Sequence, residues 1–308
     1  MTRYDLTVIG HLTLDVVSPP GGGLHRSMGG PPFYGGLTAR RLGAKVAVVS
    51  RVASGEHQSM FTSVFREAGV SAFILGGEET TCFEIYYGGG GRKLRLASRA
   101  EDLLFGDVPV EALDSSTVLL SPVAGELSLE FVEAASRYCR KRGVLVAGDL
   151  QGFTRVFFED GTVSFRQPEE EFFGFFDVVK GSEREVKAVA GCDSVREALA
   201  WIAGFGPKVV VATLGERGAL LLSEGLLFRV YSLKPGKVVD PTGAGDAFIA
   251  AFLVGYAWLM SLEDCLKLAS SAATCVVERK LPLGDVSGEY VIERSREVRV
   301  ERSGCSLV

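Results

Sequence analysis

Residues 240–252 read Asp-Pro-Thr-Gly-Ala-Gly-Asp-Ala-Phe-Ile-Ala-Ala-Phe, which sets two carboxylates, a hydroxyl and two glycines at the start of an apolar run. Gly243 and Gly245 allow a sharp turn and close approach of backbone to a ligand. Phe248, Phe252, Gly255 and Leu259 recur at helical spacing, so a helix is expected from about Ala244. A glycine turn opening a helix aims free N–H groups at one point, and the helix dipole adds positive potential there. That point suits a phosphate. Asp246 would stand beside it, where an acid is costly unless it has a role such as taking a proton from a hydroxyl. A dinucleotide fingerprint fails because Phe248 occupies the place of its third glycine. A P-loop fails because Asp246, not lysine, follows Gly245. The alternative is a helix start capped by Thr242 with no ligand.

The chain of 308 residues is 47% hydrophobic and 23% charged, an ordinary globular balance. Its length permits one large α/β domain, and residues 1–308 are expected to form one. A net charge of -5 does not favour nucleic acid or a membrane surface as partner. No apolar run is long enough to span a bilayer, and Met1-Thr2-Arg3-Tyr4-Asp5 leads into a strand-like run without a signal-peptide pattern. A cytoplasmic location is the resulting expectation. The six cysteines make no Cys-x-x-Cys pair and no histidine clusters with them, so structural zinc is not expected. A disulfide among Cys265, Cys275 and Cys305 stays open.

Patterns along the chain alternate strand, turn and helix. Buried strands are expected at 6–9, 45–50, 118–120, 144–147, 178–179 and 209–212. Helices are expected at 33–42, 60–67, 129–141, 195–203 and 262–277, several closed by glycine. This order implies a mostly parallel sheet covered on both faces, with ligands at the carboxyl ends of its strands. Residues 81–96 break the pattern with period-2 alternation on either side of Gly88-Gly89-Gly90-Gly91. They read as an antiparallel hairpin projecting from the main body, either a lid or a plain surface hairpin. The charged tail from Glu289 carries no assigned role.

A second constellation lies near the N-terminus. Asp15 follows the first strand, and Gly29-Gly30-Pro31-Pro32-Phe33-Tyr34 leads into the first helix. Glycines at a helix entry bring backbone close to a ligand, and Asp15 could accept hydrogen bonds from vicinal hydroxyls.

Taken together these motifs resemble the ribokinase-like (PfkB) carbohydrate kinases, over about residues 4–285. The matching features are Asp15, Gly29-Gly30, Arg41-Leu42-Gly43, Thr213-Leu214-Gly215-Glu216-Arg217-Gly218 and the whole of Asp240–Asp246. The resemblance implies a three-layer α/β/α fold with a small β-sheet lid, its strands inserted at about 11–18 and 81–98. It implies transfer of the γ-phosphoryl of ATP to an alcohol, with Asp246 as base. Gly243, Ala244 and Gly245 would shape the anion hole with Asp246. Thr213, Gly215 and Gly218 would border the nucleotide, joined by Lys180 and Ser182. Mg²⁺ is the implied cofactor, and Asp240 and Thr242 match a loop linked to a monovalent cation, though both could be structural caps. Lids in this family can pair between subunits, which makes a homodimer an expectation.

Two departures bear on the substrate. Where the family often has Asn-x-x-Glu, this chain has Ser182 and Glu185, with Glu185 in the position that holds a magnesium-bound water. Where sugar kinases often carry an asparagine, Tyr34 stands. The segment with Asp149, Gln151 and Arg155, together with Lys180-Gly181-Ser182, resembles the myo-inositol kinase branch. A small polyol, myo-inositol first, is therefore the expected acceptor, with Asp15, Gly29, Gly30, Tyr34, Asp149, Gln151 and Arg155 around it. For residues 148–155 the alternative is a structural turn with Arg155 in a salt bridge. A nucleoside or sugar kinase on the same scaffold is the second expectation, since Phe33 and Tyr34 could stack on a base. A non-catalytic binder is the third, opposed by the retention of Asp246.

Overall fold

The computed structural model describes residues 3–18, 23–88, 91–160, 162–279 and 286–304. Its strands are β1 (Tyr4–Ile9), β2 (Thr13–Ser18), β3 (His25–Gly29), β4 (Val46–Ala53), β5 (Ser71–Gly77), β6 (Cys82–Gly88), β7 (Gly91–Ser98) and β8 (Ser115–Leu120). The later ones are β9 (Leu145–Asp149), β10 (Arg155–Phe157), β11 (Val163–Phe165), β12 (Val178–Ser182), β13 (Val209–Thr213), β14 (Ala219–Ser223), β15 (Leu226–Val230) and β16 (Val300–Gly304). The helices are α1 (Pro31–Arg41), α2 (Glu56–Ala68), α3 (Leu129–Arg140), α4 (Gln151–Thr154), α5 (Glu183–Ala190), α6 (Val195–Ala203), α7 (Ala244–Ala257), α8 (Leu262–Val277) and α9 (Gly288–Ser295).

A sheet of ten strands runs in the order β16-β15-β14-β13-β12-β9-β8-β1-β4-β5. From β5 to β13 every pairing is parallel, and β14, β15 and β16 add an antiparallel edge. The parallel strands are continuous apolar runs because both faces are covered. Helices α1, α2, α7, α8 and α9 pack on one face, and α3, α5 and α6 on the other. Helix α7 is the innermost: Ala247 to Gly255 are all buried, so its sequence is apolar on every side.

The smaller sheet has the order β3-β2-β6-β7. Val17, Phe83 and Ile85 turn one of its faces inward, against Val123 and Phe157. The expected hairpin is β6–β7, and Gly89 and Gly90 lie outside the described residues. Strand β3 was not anticipated, because His25-Arg26-Ser27-Met28-Gly29 has little apolar patterning. The charged tail also forms structure, α9 and then β16, which pairs with β15 from Val230↔Val300 to Leu226↔Gly304. Helix α7 ends at Ala257, so Leu259 is not part of it; Leu259 is exposed with φ of 59°. Cys265 and Cys275 are free thiols, and Cys305 lies outside the described residues. Among the described residues no helix is long and apolar enough to cross a membrane.

Candidate active site

The carboxyl ends of β9, β12 and β13, the start of α7 and the inner face of the small sheet converge on one cleft. Its lining includes Thr13, Asp15, Gly30 and Tyr34 on one side and Lys180, Ser182, Glu185 and Thr213 on the other. Gln151, Arg155, Thr242, Gly243, Gly245 and Asp246 lie along it. These elements are far apart in sequence; the sheet brings them together because ligand sites in such sheets form where strands end and loops diverge.

Gly243 is the N-cap of α7 with φ of 78°, a left-handed value. A β-carbon there would stand 2.1 Å from Cγ and Cδ1 of Tyr34, so only glycine fits. Ala244, Gly245 and Asp246 form the first turn; the Ala244 N–H donates to Pro241 O at 3.2 Å, and those of Gly245 and Asp246 have no partner within the helix. Lys180 reaches the same point: its Nζ is 3.1 Å from where a β-carbon of Gly245 would be. Helix dipole and ammonium together make this spot strongly attractive to an anion.

Asp246 faces it. Burial and then the charge of Asp149 raise its pKa to about 6, against the opposing pull of Lys180, Gln151 and Arg155. Behind it lies a chain of buried polar groups. Lys180 Nζ donates to both oxygens of Asp149, at 2.9 and 3.1 Å. Gln151 Nε2 donates to Asp149 Oδ2 at 2.8 Å and to Asp246 Oδ1 at 2.6 Å. Arg155 donates through Nε to Glu185 Oε1 at 2.8 Å and pairs with the same oxygen through Nη2 at 2.6 Å.

Several expected residues also have partners within the protein. Asp149 is fully buried and its carboxylate is engaged by Lys180 and Gln151, so it does not face an acceptor. The reason is energetic: a dehydrated carboxylate needs a counter-charge, and the nearest is Lys180. Arg155 lines the cleft and also forms a salt bridge with Glu185. Ser182 and Glu185 form a capping box at the start of α5. Glu185 Oε2 accepts from Ser182 N–H at 2.7 Å, and Ser182 Oγ accepts from Glu185 N–H at 3.4 Å. Serine and asparagine are both good N-caps, which accounts for the exchange at 182. Asp240 Oδ1 accepts from Thr242 N–H at 2.8 Å, an Asx turn leading into the glycine turn. Gly215 and Gly218 shape the short turn between β13 and β14, outside the cleft lining.

Both oxygens of Glu185 are thus engaged, and among the described residues no group of three or more His, Cys, Asp or Glu could hold a metal ion. A Mg²⁺ bound here would take most of its ligands from phosphate oxygens and water.

On the other side, Asp15 accepts from Thr13 Oγ1 and from Phe83 N–H, each at 3.1 Å. Gly29 gives it room, since a β-carbon there would stand 2.9 Å from Asp15 Oδ2. Tyr34 is buried, and burial followed by the charges of Asp240, Asp15 and Asp246 keeps its phenol protonated well past its usual range. Sequence reasoning missed the apolar surface beside Asp15: Phe83, Ile85 and Leu94 on the same face of the small sheet, and Val123 packed near them. The alternation of Phe83 and Ile85 with Glu84 and Tyr86 carried that signal. Glu126 was also missed; its buried carboxylate accepts from the N–H groups of His11, Val123 and Ala124 and so fixes the loop that presents Val123.

Comparison with known proteins agrees with this architecture. The cytidine kinase of Thermococcus kodakarensis is 30% identical over 281 residues, covering 89% of this chain and 96% of that one. A pyrophosphate-dependent kinase in the ribokinase family, solved with a pyrophosphate analog and myo-inositol, superposes with a TM-score of 0.78. It is 26% identical, with 90% of this chain and 97% of that one covered. Ribokinase of Arabidopsis thaliana, solved with ribose and ATP, shares the fold at a TM-score of 0.76 and 21% identity, with 96% and 99% covered. Residues 5–285 match the pfkB family carbohydrate kinases, and the chain belongs to that family of ribokinase-like phosphotransferases acting on hydroxyl groups.

Proposed function

We propose that this kinase transfers the γ-phosphoryl group of ATP to a hydroxyl of a nucleoside. The observation that carries this reading is the mixed lining of the acceptor end of the cleft, a carboxylate set beside apolar side chains. Asp15 offers a carboxylate to vicinal hydroxyls, and beside it on the same inward face of the small sheet Phe83, Ile85 and Leu94, with Val123, give an apolar surface suited to a flat base. A cyclitol, smaller than a nucleoside and with hydroxyls all round its ring edge, would cover less of that apolar surface than a base does. The 30% identity to a cytidine kinase supports the same choice.

In this reading Asp246 takes the proton of the acceptor hydroxyl as the oxygen attacks the γ-phosphorus, and the bond to the β-phosphate oxygen breaks. The N–H groups of Gly245 and Asp246 meet the charge on the transferred group, and Lys180 adds a fixed positive charge beside them. Ser182 and Thr213 border the donor. Magnesium would arrive on the donor's phosphates and neutralise charge there.

A second reading, a myo-inositol kinase, is favoured by the structural neighbour solved with that cyclitol. Its sequence support is weaker, because Asp149, Gln151 and Arg155 have partners that explain their presence without a cyclitol. The test is turnover of cytidine, other nucleosides, ribose and myo-inositol, with ATP and with pyrophosphate as donor, read by phosphorus NMR of the product. Nucleosides are expected to give the highest kcat/KM with ATP. Faster turnover of myo-inositol than of every nucleoside would overturn the nucleoside reading.

A further inference from the structure

One neutral side chain stands in the middle of the buried charges behind Asp246. The two hydrogens of Gln151 Nε2 are directed to two different carboxylates, Asp149 at 2.8 Å and Asp246 at 2.6 Å. Its Oε1 faces the guanidinium of Arg155, with Nη1 at 3.4 Å. Only this orientation of the amide suits its neighbours, because the reverse would set an oxygen against two carboxylates and hydrogens against a cation. Each end of the chain is anchored in turn. Lys180 clamps Asp149, and Glu185 clamps Arg155. Gln151 itself is 9% exposed, and its position in α4 is fixed by N–H donation from Leu150 to Lys180 O at 2.8 Å, one residue before it.

We propose that Gln151 is a positioning residue: held by Asp149 and Arg155, it binds Oδ1 of Asp246 and leaves Oδ2 turned to the acceptor hydroxyl. This rests on the reading of Asp246 as the base. The groups facing Asp246 are Asp149 from β9, Gln151 from α4, Arg155 from β10, Lys180 from β12 and Tyr34 from α1, with Glu185 of α5 behind Arg155. Two carboxylates so close in a dehydrated place would tend to hold a proton between them. The amide gives each of them a hydrogen and so keeps Asp246 available as a base near neutral pH.

The experiment is the pH dependence of kcat and kcat/KM for Gln151→Met and Gln151→Glu, with cytidine as acceptor, or myo-inositol if that is what the wild type turns over. Met keeps the volume and removes the hydrogen bonds; Glu keeps the shape and adds a third carboxylate. For both variants the acid limb is expected to move up by about one pH unit or more, with kcat at pH 7 down roughly 10-fold or more and acceptor KM changed less than about threefold. Part of the loss should be recovered at pH 9. An acid limb that does not move in either variant overturns the proposal, and so does a tenfold rise in acceptor KM with kcat unchanged. Thermal unfolding of both variants checks that they fold. Asp246→Asn run in parallel separates the two levels: if it keeps a near-normal kcat the base assignment falls, and if it loses activity an unmoved limb counts against Gln151 alone.

Discussion

The ring of Tyr34 lies against the α-carbon of Gly243, so closely that a β-carbon there would be 2.1 Å from Cγ and Cδ1. The first helix of the chain and the glycine turn before α7 are thereby fitted to each other, although about two hundred positions separate them. This contact makes the anion site depend on an aromatic residue at the acceptor end. Gly243→Ala is expected to destabilise the protein by about 2–4 kcal/mol, the sum of a strained left-handed alanine and an overpacked ring. Tyr34→Ala in the same chain should remove the overpacking and leave the backbone strain. A double-mutant cycle by urea unfolding should then give a combined loss smaller than the sum of the two single losses. Simple additivity would mean that the ring and the turn do not constrain each other.

Asp246 places function and stability in opposition. Its pKa of about 6 lies above the ordinary 3.8, so the folded state binds more protons than the unfolded chain between those values. Its contribution to stability is therefore greatest below about pH 4 and is lost as pH rises through 6. Above that, the ionised group costs about 1–3 kcal/mol. Asp246→Asn should match the wild type in stability near pH 4 and exceed it at pH 8, while kcat falls about 10²-fold or more. Urea unfolding at the two pH values, beside a kcat measurement, checks both halves. A variant less stable than wild type at pH 8 would contradict the cost assigned to that charge.

What the sequence revealed follows from the range of the forces involved. Local signals were enough for the start of α7 at Ala244 and for α6 and α8, whose observed bounds of Val195–Ala203 and Leu262–Val277 match the apolar periodicity. Most of the parallel core was legible because its strands are unbroken apolar runs, but the half-buried edge strand β5 (Ser71–Gly77) and the antiparallel β14 and β15 were not picked out. Strands β3 and β16 were not, since His25–Gly29 and Val300–Gly304 are mostly polar and take their order from the neighbouring strand. In the site, glycine spacing pointed to the anion hole. The hydrogen bond from Gln151 to Asp246 spans 95 positions, and no local pattern encodes it. Asp149, Gln151 and Arg155 were visible as chemistry-bearing residues, but whether they face a ligand or each other depends on which strand ends are adjacent.

The pair of Lys180 and Asp149 is almost wholly withdrawn from water, with side chains 4% and 0% exposed. Such a pair adds little over an apolar one of the same size, yet losing one partner is severe because the other stays buried. Lys180→Met should therefore destabilise the protein by about 3–5 kcal/mol. Lys180→Met with Asp149→Leu should recover more than half of that, while activity stays abolished because the anion site has lost its fixed cation. Urea unfolding of the single and double variants, with turnover assays, gives the answer. A double variant as unstable as the single one would mean that Asp149 is not the group left uncompensated.

Glu185 separates a pairing role from a metal role. Burial alone would raise its pKa, but Arg155, Lys180 and the hydrogen bonds from Ser182 hold it well below the usual carboxylate range. A carboxylate so depressed contributes stability above its ordinary pKa of 4.5 and loses it as pH falls toward its folded value. Glu185→Gln keeps the shape of the capping box and leaves the Arg155 guanidinium without its counter-charge. It should lower stability at pH 7 by about 3 kcal/mol and flatten the loss of stability between pH 5 and 2. Because the Glu185 oxygens are engaged by Arg155 and Ser182, the magnesium concentration giving half-maximal rate should stay within about twofold of the wild type even as kcat falls. A tenfold rise in that concentration would instead assign Glu185 to a water on the metal, and the guanidinium pair would then have to open when the donor binds.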